Sequence, residues 1–75
     1  MYQSARIYYT DGTERSIGWK RAKDGSFTVT NSLYGADGYY RAGGSWTIFN
    51  QSYERIMDAL EDAEATESVR EIGRY

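Results

Sequence analysis

Between residues 3 and 49 apolar and polar side chains largely alternate, and β-branched and aromatic residues gather into runs parted by Asp11-Gly12, Asp24-Gly25 and Asp37-Gly38. Alternation puts successive side chains on opposite sides of a strand, and Asp-Gly between two such runs is the strongest short-range hairpin signal. Each Asp-Gly follows the last by thirteen residues. That interval suits an antiparallel meander in which a strand of about nine or ten residues leads into a short turn.

Register follows from which faces the turns bring together, because a slip of one residue sends a strand's apolar set to the wrong side. Two-residue loops would set Ile7 opposite Ser16 and Trp19 opposite Thr30. Three-residue loops, Thr10-Asp11-Gly12 and Lys23-Asp24-Gly25, set Ala5 opposite Ile17 and Trp19 opposite Val29, with Ile7 and Phe27 on the same face. The second arrangement matches apolar to apolar, so type I turns ending in a left-handed glycine are expected. Strands are then predicted at about 3–9, 13–22, 26–34 and 39–49, with Gly43-Gly44 marking a bulge, a bend or a further turn that opens a fifth strand.

From Asn50 the period changes. Tyr53, Ile56, Met57, Leu60 and Ala63 recur at intervals of three and four, which predicts an amphipathic helix over about 51–65, capped by Asn50 or Ser52 and with Glu54 at its positive end. The stripe fades after Ala63. Ser68 to Glu71 has capping-box spacing, and Val69 with Ile72 would make one last helical turn before Gly73, so residues 66–75 are expected to form a partly frayed tail. The predicted fold is a single α+β domain over 1–75: a four- or five-stranded antiparallel meander with one C-terminal helix packed on one sheet face. Trp19, Phe27, Val29, Ile48, Ile56 and Leu60 are its expected core.

Composition narrows the chemistry. A chain this short buries only roughly 60% of its unfolded surface, and it has neither cysteine nor histidine to supply a disulfide or a zinc site. That leaves oligomerisation or aromatic packing, and eight Tyr, two Trp and two Phe supply the latter well. The same two absences remove the commonest general base, the thiol nucleophile and the usual zinc ligands. No glycine pattern matches a phosphate-binding loop and no acidic pattern matches a calcium loop. The expectation is no enzymatic activity, no catalytic residue, no metal and no cofactor. Without a leader-like or membrane-spanning run, the chain is expected in the cytoplasm.

Charge is uneven. Residues 1–49 hold six Lys/Arg against four Asp/Glu, a balance of +2, whereas residues 50–75 hold three against seven, a balance of −4. On the helix, Glu54/Asp58 and Asp58/Asp62 are like-charge pairs at i, i+4, as are Glu67/Glu71 beyond it, and each costs a few tenths of a kcal/mol. Folding does not require that ridge, although solubility alone would account for it. Tyrosine supplies a large contact area at low entropic cost. These features predict a non-enzymatic protein-binding module, a small inhibitor or adaptor. Its contacts would be Tyr34, Tyr39, Tyr40, Trp46, Glu54, Asp58, Glu61 and Asp62, and its partner a protein, one that is itself basic and binds nucleic acid.

In length, tyrosine content and acidic helix the chain resembles the small counter-defence proteins of bacteriophages, anti-CRISPR proteins among them, which would place it in the cytoplasm of the infected host. The likeness is one of size and character, without a motif that transfers residue roles. An alternative is single-stranded nucleic-acid binding through Arg6, Tyr8, Arg15, Lys20, Arg21 and Lys23, where bases interleave with aromatic side chains. A third is an assembly subunit or homodimer joined through sheet edges.

Overall fold

In the computed structural model, which describes residues 1–41, 45–47 and 52–75, three turns of one kind organise the first half of the chain. The amides of Gly12, Gly25 and Gly38 donate to the carbonyls of Tyr9, Ala22 and Gly35, closing three-residue loops. All three glycines have φ between 82° and 88°, where a Cβ is penalised. In each loop the aspartate before the glycine accepts from the backbone N–H two residues on: Thr13 at 2.9 Å, Ser26 at 2.9 Å and Tyr39 at 3.0 Å. Asp-Gly therefore does two jobs, since Asp fixes the turn from its side chain while Gly takes the left-handed backbone.

These turns join β1 (Ser4–Tyr9), β2 (Glu14–Arg21) and β3 (Phe27–Tyr34), then lead to β4 (Tyr40–Arg41). Ala5 stands opposite Ile17, and Trp19 opposite Val29, the register that three-residue loops demand. Among the described residues of 39–49 there are two short strands, β4 and β5 (Ser45–Thr47), both antiparallel to β3. Tyr34 faces Tyr40 while Thr28 faces Thr47, so the two registers differ by one residue. This shift sets Trp46 opposite the core residue Val29. Gly43-Gly44 and Ile48 lie outside the described residues.

The α-helix α1 spans Tyr53–Glu64, and Ser52 caps it, its Oγ accepting from the Arg55 N–H at 3.2 Å. Ile56 and Leu60 are its buried residues, and they join Ala5, Ile7, Trp19, Phe27, Val29 and Ile72 in one cluster on one side of the sheet. Burying a side chain of this size contributes about 1.5–3 kcal/mol. Trp19 is held at its polar end as well, its indole N–H donating to the Tyr2 carbonyl at 2.8 Å.

The expected α+β fold of antiparallel meander and C-terminal helix is present, but the tail expectation is corrected. Residues Val69–Arg74 form a further strand, β6, antiparallel to β1, so β1 lies inside the sheet, in the order β4-β3-β2-β1-β6. The physical reason is a bulge. Tyr9 faces Val69 and Tyr8 faces Glu71, with the register shifting between them, and Ile7 faces Ile72. A bulge inserts one extra residue and reverses the alternation beyond it. Val69 and Ile72, three apart, thus both reach the core, as they would on a helix.

Candidate functional site

The burial of α1 decides where its acids point. With Ile56 and Leu60 buried and Tyr53, Met57 and Ala63 packed beside them, Glu54, Asp58, Glu61 and Asp62 are left exposed on the outward side. Among the described residues two ion pairs form: Arg74 with Glu64 at 3.0 Å, and Arg70 with Glu71 at 3.6 Å. Neither involves the four outward acids. Arg55, the one base on α1, pairs with none of them, and the last turn of the helix carries no base to complement its dipole. The ridge is negative and makes no ion pair among the described residues.

The tyrosine set lies elsewhere. Residues paired directly across antiparallel strands share a face, and one row across the sheet runs Glu71, Tyr8, Glu14, Tyr34, Tyr40 in β6, β1, β2, β3 and β4. It belongs to the face turned away from α1. Tyr39 follows the third turn and is 72% exposed. The fold therefore pairs Tyr34 with Tyr40 across β3 and β4 and gathers the four acids on α1, with Tyr34 on the side of the sheet turned away from them. Trp46 pairs with Val29 across β3 and β5.

The basic set is divided in the same way. Arg6, Tyr8 and Lys20 occupy rows of the open face, where Ser4, Gly18, Thr28 and Thr30 line a shallow trough beside Lys20. Arg15 pairs with Ile7, and Arg21 with Phe27, which puts both in rows of the helix-covered face, while Lys23 lies in the second turn. The Arg15 Nε is buried with no hydrogen-bond partner.

One constellation on the open face was missed. Arg70 stacks its guanidinium over the Tyr8 ring, 5.4 Å from the centroid. A hydrogen bond with Tyr8 raises the pKa of Arg6 above its usual value, and the Tyr75 phenol is also raised, first by its hydrogen bond to Tyr8. Arg70 and Tyr75 escaped notice because their stretch resembles a frayed tail until β6 is paired.

No cluster of His, Cys, Asp or Glu able to hold a metal occurs among the described residues, and no helix there is long and apolar enough to cross a membrane. Comparisons with protein-family models, curated proteins and solved structures yield no match to the chain.

Proposed function

We propose that this chain is a non-enzymatic protein-binding module, a small inhibitor or adaptor that covers a basic site on its partner with the outer face of α1. The observation that carries the reading is the ridge of Glu54, Asp58, Glu61 and Asp62, which makes no ion pair among the described residues and is exposed on a helix whose other side is fixed in the core. A rigid support of this kind presents charge without the entropic cost of ordering a loop. Complementary charge would speed encounter and set orientation, while the bulk of the sheet behind it would exclude competing ligands.

The partner chemistry that fits is a lysine- or arginine-rich protein surface such as one used to hold nucleic acid, the mode of action of a small phage counter-defence protein in the host cytoplasm. Tyr34, in a row on the far side, would serve a second contact rather than extend the first, with Tyr39 exposed at the third turn beside it.

Charge reversal tests the proposal. Changing Glu54, Asp58, Glu61 and Asp62 to Lys should slow association with a captured partner at least about tenfold in low salt, with circular dichroism unchanged. The competing reading, single-stranded nucleic acid held on Arg6, Tyr8 and Lys20, makes the opposite prediction. Saturable micromolar binding of mixed-sequence oligonucleotide that weakens when Lys20 is reversed would replace the inhibitor reading with that one.

A further inference from the structure

β6 ends the sheet, so one side of it has no strand neighbour among the described residues. Ser4 and Tyr75 exchange both of their backbone hydrogen bonds, at 3.1 and 2.9 Å. Because antiparallel pairs alternate between bonded and non-bonded, the N–H and C=O groups of Arg74 and Ile72 face the free edge. Past the bulge the Ser68 carbonyl turns inward to accept from the Thr10 N–H at 2.9 Å, which leaves the Val69 carbonyl on the outer side. Unpaired edges of this kind invite another strand, and native sheets usually blunt them with charge or bulges.

Here the charges are arranged so that the edge complements itself. We propose that β6 pairs with β6 of a second copy of this chain, antiparallel about a two-fold axis between Arg70 and Glu71. In that register Arg70 meets the partner's Glu71 on both sides of the axis, and Val69 meets the partner's Ile72. Each pair is complementary in charge or in apolarity. The neighbouring registers are worse: an axis on Glu71 opposes it to itself, and an axis on Ile72 opposes Arg70 to the partner's Arg74. Like charges directly opposite one another destabilise a ladder, and opposite charges support it. The bulge assists the chosen register, since it turns Val69 and Ile72 to the same side and lets the Ile72 N–H reach the partner's Val69 carbonyl. Arg70 and Glu71 are 62% and 60% exposed, so both are accessible to a second copy. The docked element is one short strand per copy, which makes this a weak, concentration-dependent dimer rather than an obligate one.

Sedimentation equilibrium from about 10 µM to 1 mM tests it, since weak pairings of this size dissociate in that range. The wild-type chain should show a monomer–dimer equilibrium that salt weakens. Arg70→Glu and Glu71→Arg, each alone, should raise the dissociation constant at least about tenfold, because each opposes like charges at the axis. An equimolar mixture of the two variants should recover a dimer within a few-fold of wild type, since an acid then meets a base at both central positions. The doubly substituted chain should recover it too, which separates lost pairing from lost folding, and circular dichroism confirms that each variant is folded. A wild-type chain monomeric at 1 mM, open-ended assemblies, single variants that associate like wild type, or a mixture that fails to dimerise would each overturn the proposal.

Discussion

The Asp-Gly hairpins and the α1–β6 unit both add strands to one sheet, but they do so with different information. In the hairpins the residues that set the geometry are neighbours in sequence: Asp11 bonds to Thr13, Asp24 to Ser26, and the following glycines take φ near +86° and +88°. In the C-terminal unit the deciding contact joins Ile7 to Ile72, and a helix must first cross the sheet to deliver it. Local turns fix register cheaply, whereas the closing strand depends on loop closure over most of the chain. The difference implies that the C-terminal unit is the part most exposed to loss by single core substitutions.

The sharpest way to break this comparison is to truncate the helix and the closing strand separately. Leu60→Ala should cost about 2–5 kcal/mol, enough to unfold much of a domain this size, and Ile72→Ala should fall in the same range. Thermal melts decide the matter. Ile72→Ala melting like wild type would return residues 66–75 to the frayed tail that their sequence suggests.

The turns can be set against one another. Gly12→Ala and Gly25→Ala should each destabilise by roughly 1 kcal/mol or more, since both require positive φ. Gly12 should be the costlier, because an added Cβ there would lie 3.2 Å from the Ala36 Cβ, while nothing lies within 4 Å of the one at Gly25. Denaturant midpoints in the reverse order would remove the steric part of this account.

Most of the sheet was legible because its signals are short in range. Parity and turn length alone placed Ala5 against Ile17 and Trp19 against Val29, and a single cap and stripe placed α1. The partner of Val69 and Ile72 is about sixty residues away, and their three-residue spacing means helix unless the bulge at Tyr8 and Tyr9 is known. The candidate site was legible in parts. The acids emerged as one exposed ridge on α1, and strand parity alone sets Tyr8, Lys20 and Tyr34 on the face opposite the core, whereas Arg70 and Tyr75 join that face only once β6 is paired. Tyr34 therefore belongs to the side away from the acids, and the basic set splits between faces.

Smaller effects refine the joint between the two regions. Arg74 ties β6 to α1 through Glu64, with the two side chains 25% and 47% exposed. Arg74→Ala should therefore lower stability by only about 0.2–1 kcal/mol, measured by urea titration, and the loss should shrink in high salt. A larger, salt-independent loss would mean that Arg74 acts through packing instead.

The gentlest test is acid. Hydrogen bonds from the hydroxyl and then the amide of Thr13 hold Asp11 below its ordinary pKa of 3.8, and those of Ser26 do the same for Asp24. A carboxylate depressed in the folded state stabilises fully above its unfolded value and loses that contribution as pH falls through the folded one. The hairpins should thus weaken only below about pH 4, whereas Asp11→Asn and Asp24→Asn together should flatten that limb of the stability curve. An unchanged limb would show that these turns do not depend on the carboxylate charge.

The central functional claim, that the acidic face of α1 and not the open sheet meets the partner, comes down to one comparison. Capture from source cells is quantified by mass spectrometry for wild type, for the chain with Glu54, Asp58, Glu61 and Asp62 changed to Lys, and for the chain with Arg6 and Lys20 changed to Glu. The account predicts that a basic protein captured by wild type is lost from the helix variant and retained by the sheet variant. Retention by the helix variant together with loss from the sheet variant would contradict it.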